Sequence, residues 1–476
     1  MTENTSLSKR VKLHKYIVSE NQNDGDNLCP DDYNVLNHDV LLLEQIGSKS
    51  INGEAFKACK PYDEFLQGCN DDPGTVLLST KKIPLTQYQK VMFPSHMTKD
   101  ELLENDVFVE LICMKLSSFI LLNKKPICPN LPLYYNYYLC NNCTYTNEEI
   151  LNKNKHVIRH AEKLTVINEG QEYKGKLLLS NIKSALKKQN KVILDVKDVN
   201  ELSTRIGPYN SKVLKEAIND NISNSCVLLV NEYANEGDLK NWLKTKNWLQ
   251  PETRSAKEWN VMFFQVFAGL YTLQKHFDLT HHDLHWGNVL VHKIQPGGFL
   301  TYKIDDEYYK VPNIGYLFTL WDFGYAHIPG KLKARKDYNM YDLKGVNRYS
   351  VDYYRISQSP WWNMETNQDN LFPNGISPSE MVDFSYNVKT CYDNNVPLKY
   401  LFSKLFSSYL NLDPVPNATY IIDDNTIPNV PEEYKWLLNT NTNYSIFNNK
   451  NGNEGGNGGN VGEEQYDWLY NIDLEN

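Results

Sequence analysis

The sequence predicts an α+β fold in two lobes: a small antiparallel-sheet N-lobe with one long helix, then a larger, mostly helical C-lobe. Three observations predict it. Short apolar runs separated by polar, glycine-bearing turns open the folded part; a helix-period apolar face ending at Leu121 follows a capping box; and a second capping box starts another such face at Trp259.

Residues 1–32 are polar and end in the loop-forming run Asn23-Asp24-Gly25-Asp26-Asn27, which reads as a disordered N-terminal tail. Val40–Ile46, then Gly47 and a polar loop to Gly53, then Glu54–Cys59, reads as a hairpin. Val76–Ile83 is the next strand. Thr98-Lys99-Asp100-Glu101 matches a capping box, and Leu103, Val107, Leu111, Met114, Ser118 and Leu121 keep helical spacing behind it. Leu131–Leu139 and Cys226–Tyr233 are strand-like. The polar stretch between them, 141–225, exceeds any ordinary hairpin loop and reads as an insertion. Ser255-Ala256-Lys257-Glu258 caps a helix whose face is Trp259, Phe263, Val266, Leu270 and Leu273. The expected organisation is an N-lobe over 33–232, a C-lobe over 233–436 and a flexible Asn/Gly-rich tail over 437–476, where too few apolar groups offset the ordering entropy.

Composition narrows the function classes. With 41% hydrophobic and 22% charged residues, the 476-residue chain is ordinary for a globular protein. A net charge of -9 without a basic cluster argues against specific nucleic-acid binding. The N-terminus lacks the apolar segment of a signal peptide, and no apolar window is free of charges, so a soluble, intracellular protein without membrane contact is expected. In that setting the nine cysteines read as reduced thiols.

The second helix leads into Thr280-His281-His282-Asp283-Leu284-His285-Trp286-Gly287-Asn288-Val289, a polar loop running into a strand; Asp322-Phe323-Gly324 follows the apolar strand Tyr316–Trp321. Phosphoryl transfer needs a carboxylate to orient the attacking hydroxyl and take its proton, plus hard oxygen ligands that hold magnesium against ATP phosphates. Asp283 suits the first role, and Asn288 and Asp322 suit the second.

This pattern resembles the eukaryotic-type protein-kinase superfamily, and its wording is similar to haspin-like kinases and their relatives in large DNA viruses. The resemblance spans roughly 33–436 and implies a bilobal protein-kinase-like fold, with ATP and Mg2+ as cofactors and a protein substrate as partner. It further implies a degenerate glycine-rich loop at Gly47, Ser48 and Gly53, a phosphate-binding lysine at Lys81 rather than Lys82, and an ion-pair partner at Glu110. A hinge follows at Leu229–Leu239, with Asn231 as its gatekeeper, where backbone groups of Glu232 and Ala234 would meet adenine. Asp352-Tyr353-Tyr354-Arg355 resembles the helix that braces the catalytic loop in haspin-like kinases. The acceptor class implied is Ser/Thr. His282 stands where many kinases carry arginine, so switching through a phosphorylated loop is not expected. His285 stands where most carry lysine, which would make phosphate stabilisation pH-dependent. The same histidine keeps a small-molecule kinase of the aminoglycoside or choline type open, and a nucleotide-binding pseudokinase scaffold is the non-enzyme reading.

Two other motifs compete for attention. Cys140-x2-Cys143-x12-His156-x3-His160 has zinc-site spacing, against which stands a reading of reduced cysteines at a strand end and histidines on a helix face. Gly170-x4-Gly175-Lys176 nearly spells a P-loop, but Leu177 replaces the magnesium-binding hydroxyl, and it reads as a turn within the insertion.

Overall fold

The computed structural model describes Arg10, His14 and residues 35–36, 40–50, 53–60, 76–86, 106–123, 127–140, 143, 165–168, 171–174, 222–245, 256–332, 352–357, 384, 386–388, 390–391, 398–415 and 419–439. The chain divides into two compact units: Asp24–Thr98 with Asn136–Val230 and Asp473–Asn476, and Met1–Asn23 with Lys99–Tyr135 and Asn231–Ile472.

The first unit is built on a six-stranded sheet in the order β1-β2-β3-β4-β8-β5. Its strands are β1 (Val35–Leu36), β2 (Val40–Ser50), β3 (Gly53–Lys60), β4 (Val76–Thr86), β5 (Tyr134–Cys140) and β8 (Ile222–Glu232). The β2–β3 hairpin closes as expected, Ser50 pairing with Gly53, and its register shifts between Leu42 and Gln45 and between Ile46 and Ser50. Such bulges bend the strand in front of the turn. Strand β4 pairs in unbroken register with β3, burying Leu78, Ile83 and Leu85. A separate two-stranded hairpin, β6 (Thr165–Asn168) and β7 (Gln171–Lys174), lies inside the insertion. Residues 171–174 are thus a strand and not a phosphate-cradling loop, which removes the P-loop alternative.

The second unit holds the helices α1 (Asp106–Leu121), α2 (Leu239–Thr245), α3 (Ala256–Phe277) and α4 (Leu398–Leu405). Helix α1 was expected with the small lobe; its contacts group it here. Helix α3 is buried on nearly every side, from Val261 to Phe277, as its apolar content beyond one stripe requires. Phe264 is its aromatic hub, with ring centroids 5.1 Å from Tyr302, 5.4 Å from Tyr309, 5.5 Å from Phe402 and 5.2 Å from Phe406.

The expectation of a mostly helical second lobe needs correction. Between β9 (Val289–Lys293) and β12 (Tyr316–Leu320) the chain forms the hairpin β10 (Phe299–Ile304) and β11 (Glu307–Pro312). These join β13 (Leu410–Asn411) and β14 (Tyr420–Ile422) in a four-stranded sheet, order β13-β11-β10-β14. The physical reason is alternation. Leu300, Tyr302 and Ile304 are buried on one strand, Tyr309 and Val311 on the other, and Asp305 turns between them with φ 51°. The sheet is fastened to α3 by Lys275, which pairs with Asp305 and Asp424 at 2.6 and 2.7 Å, and is tied internally by Lys303 to Asp423 at 2.6 Å.

Asn130 is the buried polar joint of this unit. Its Nδ2 donates to Gln265 Oε1 at 2.8 Å and to the Phe318 carbonyl at 3.0 Å, while its Oδ1 accepts from Tyr302 OH at 2.9 Å. A Cβ on Gly269 would stand 2.8 Å from the Asn130 carbonyl oxygen, so α3 passes that backbone too closely for any side chain.

The expectation of reduced thiols is also overturned in part. Cys143 and Cys226 are joined by a disulfide, and Cys59 and Cys140 are disulfide-bonded as well. The strand positions bring these sulfurs together across a sequence separation of 83 residues for Cys143 and Cys226, which no local pattern encodes. Cys113, Cys128 and Cys391 are free and buried. Both capping boxes, most of the insertion, His156, His160, Gly170, Gly175 and the segment 440–476 fall wholly or partly outside the described residues. Within the segment expected as an N-terminal tail, Arg10 and His14 are described; Arg10 is buried. No helix among the described residues is long and apolar enough to cross a membrane.

Candidate active site

The loop from His281 to Asn288 is held from four directions. Asp352, in the helical run 352–357, accepts the backbone N–H of His281 at 2.7 Å on Oδ2 and that of His282 at 2.8 Å on Oδ1. These bonds hold His282 in the left-handed region at φ 62°, a strained position for a non-glycine residue. Burial pushes the Asp352 carboxyl up to about 7, against the two N–H bonds that favour its charge.

His281 lies beneath the loop, fully buried. Its Nε2 is 2.7 Å from the Trp321 carbonyl, which can only accept, so Nε2 carries the proton. Its Nδ1 then accepts from the Asp283 N–H at 3.4 Å. Burial lowers its pKa to about 4, so the ring is neutral near neutral pH.

The loop's far end closes on itself. Asn288 Nδ2 donates to the Asp283 carbonyl at 2.8 Å, and the Asn288 N–H donates to the His285 carbonyl at 2.8 Å. Trp286–Asn288 is a 3-10 turn, and His285 caps it: Nδ1 accepts from the Gly287 N–H at 3.0 Å. An accepting Nδ1 leaves the proton on Nε2, and desolvation lowers the pKa further although the side chain is exposed. The cap and the lowered pKa shift the ring, expected to be fractionally charged, towards its neutral form.

Asp322 reaches the same place along the partner strand. The antiparallel register sets Leu320 opposite Val289, and just beyond it the Trp321 N–H donates to the Asn288 carbonyl at 2.9 Å. Asp322 itself sits at φ 61° and is mostly buried. Its charge acts on both His281 and His285, raising their proton affinity against burial. Asn288 and Asp322 thus flank the same end of one two-stranded ribbon, and Asp283 is tied to it through the Asn288 amide.

Arg355 is the residue the motifs undersold. Its Nη1 donates to the His282 carbonyl at 2.5 Å and lies 3.9 Å from Asp283 Oδ1. A guanidinium therefore stands beside the carboxylate although His282 occupies the arginine position of the motif. Its position in Asp352-Tyr353-Tyr354-Arg355 was a visible signal; its direction was not, since that depends on how the helical run meets the loop.

The segment expected as the hinge is pinned to β9: the Glu236 N–H donates to the Val291 carbonyl at 3.1 Å and the Val291 N–H to the Gly237 carbonyl at 2.8 Å. Asp238 Oδ1 accepts the Asn241 N–H at 2.7 Å and caps α2. The Glu232 N–H donates to the Leu133 carbonyl at 2.9 Å. Its side chain takes the Arg10 guanidinium in a two-pronged pair at 2.6 and 2.7 Å, and Arg10 also donates to the carbonyls of Pro129 and Leu131. Burial pushes the Glu232 carboxyl up, but Arg10 and His292 outweigh it and the net direction is down. Asn231 and Glu110 are buried in this unit, and Ala234 follows with 6% exposure.

Lys81, Gly47, Ser48 and Gly53 belong to the other unit. In β4, Lys81 lies opposite Ala55 and Lys82 opposite Glu54. Alternation then puts Ser79, Lys81 and Ala55 on one face, and Lys82 with Phe56 on the other, where Lys82 Nζ is 6.0 Å from the Phe56 ring. Both lysines are buried. Of the zinc candidates, Cys140 and Cys143 come together, and the third sulfur beside them is Cys226, not a residue of the original set.

No family model matches the chain. It is 26% identical over 171 residues to a protein of Acanthamoeba polyphaga mimivirus named provisionally as a serine/threonine-protein kinase, covering 34% of this chain and 35% of that protein. It is 33% identical over 66 residues to a Frog virus 3 protein with the same kind of provisional name, covering 13% and 8%, and 34% identical over 111 residues to an uncharacterised protein of Invertebrate iridescent virus 3, covering 23% and 14%. The chain therefore spans about a third or less of the length of these relatives. The similarities relate it to proteins of large DNA viruses that carry kinase names.

Proposed function

We propose that the chain is an ATP-dependent protein kinase that phosphorylates Ser/Thr hydroxyls, with Asp283 as the base and Asn288 and Asp322 as the metal ligands. The observation that carries this reading is the closed loop in which Asn288 braces the Asp283 backbone while Trp321, next to Asp322, hydrogen-bonds to Asn288. The kinase names of the viral relatives support it.

The donor set fits magnesium. Asn288 spends its Nδ2 on Asp283, which aims the amide's oxygen away from that carbonyl, and Asp322 adds carboxylate oxygens; hard oxygens are what this ion selects. When bound, Mg2+ would neutralise charge on the ATP phosphates. Asp283 would align the acceptor hydroxyl and take its proton as the γ-phosphoryl group leaves ADP. Arg355, 3.9 Å from that carboxylate, would steady its direction. His285, neutral with Nε2–H, would donate a hydrogen bond to a phosphoryl oxygen. The family resemblance assigns binding of the α/β-phosphates to Lys81.

The test is γ-phosphate transfer from radiolabelled magnesium-ATP to basic proteins and to small aminoalcohols, comparing wild type with Asp283→Ala and Asp322→Ala. Labelled phosphoserine or phosphothreonine, lost in both variants, is expected. Transfer to aminoalcohols alone would make it a small-molecule kinase; absence of transfer and of any nucleotide-induced thermal shift would make it a scaffold.

A further inference from the structure

We propose that Cys140, Cys143 and Cys226 supply three thiolates of a zinc centre in the reduced chain. The sulfurs of Cys140, Cys143 and Cys226 all lie within 4.8 Å of one another, and all three residues are buried. Cys143 and Cys226 are bonded to each other and Cys140 is disulfide-bonded too, so reduction frees all three thiols.

Thiolates around a tetrahedral zinc ion at ~2.3 Å lie ~3.8 Å apart, so the three sulfurs need only small side-chain movements to hold one. The backbone is arranged for it. Cys140 ends β5, the Cys143 sulfur lies 3.6 Å from the Cys140 carbonyl, and Cys226 comes from β8, the neighbour of β5 in the sheet. Two cysteines separated by two residues on a strand end, completed from another strand, is the ligand spacing of structural zinc sites. The described ligand group contains cysteine alone, with no carboxylate or imidazole. Such soft donors select zinc over magnesium or calcium. The metal would fasten the end of β5 to β8.

The electron count closes. A dithiol reductant gives two electrons and two protons to each disulfide and is itself oxidised to a cyclic disulfide; the thiols of Cys140, Cys143 and Cys226 are freed, and zinc displaces their three protons.

The experiment uses the full chain, reduced anaerobically, supplied with zinc and freed of excess metal. About one zinc per chain is expected. Cobalt replacing zinc in the same chain should show intense charge transfer from at least three thiolates, and Cys226→Ser should lose the metal. The cobalt spectrum reads the wild-type chain, so it decides the matter even where Cys226→Ser fails to fold. A metal-free reduced chain overturns the proposal. So does a cobalt spectrum of two thiolates and two imidazoles with metal retained in Cys226→Ser, which would return the site to His156 and His160.

Discussion

The side-chain amide of Asn288 donates to the backbone carbonyl of Asp283 across 2.8 Å, so the proposed metal ligand also sets the position of the proposed base. Asn288→Asp keeps an oxygen for the metal but removes the donor and sets a carboxylate against that carbonyl. We expect phosphoryl transfer to fall ~100-fold or more, as for loss of a positioned catalytic group. Equal rates for Asn288→Asp and wild type would sink this coupling.

Gly287 offers a separation of activity from stability. A Cβ there would meet the His285 ring at 2.9 Å. The ring is the movable partner, so Gly287→Ala should leave the melting temperature within a few degrees while lowering kcat, because His285 loses its cap on the Gly287 N–H. A variant that melts far below wild type contradicts the prediction.

Asp352→Ala should destabilise the protein directly. It orphans two buried N–H groups, of His281 and His282, at ~1–3 kcal/mol each. Denaturant titration of the variant measures the loss. A change below ~1 kcal/mol would show that other groups hold the loop.

Arg10→Ala removes the partner of the buried Glu232 carboxylate. Breaking a buried pair from one side costs ~3–5 kcal/mol, more than the pair contributes when intact. Arg10→Ala combined with Glu232→Gln should recover part of that loss, since the uncompensated charge goes. Additive losses in the double variant would refute the explanation.

Acid should weaken the fold at known groups. Burial holds His276, His281 and His292 at about 4, against 6.5 ordinarily. The folded protein binds these protons more weakly than the unfolded chain, so their contribution is complete above pH 6.5 and declines as pH falls from 6.5 towards 4. The limit is ~3 kcal/mol per histidine. For His281 the proton would enter at Nδ1, breaking its bond to Asp283, so activity should fall along with stability. A melting temperature that stays level between pH 6.5 and 4 would contradict this.

What the chain's order of residues determined by itself is local chemistry. His281 to Asn288 and Asp322 to Gly324 are contiguous motifs, and the strand register that joins them follows from two short apolar runs, legible as periodicity. Helix α3 and the β2–β3 hairpin were legible for the same reason. The tertiary structure decided what depends on separation. Arg10 meets Glu232 across 222 residues, Arg355 turns toward Asp283, Cys226 joins Cys140 and Cys143, and β13 and β14 complete a sheet begun by β10 and β11. Such contacts leave no periodic trace, because each partner is chosen by packing and charge after the chain has folded back, and neither residue's neighbours in sequence specify the other.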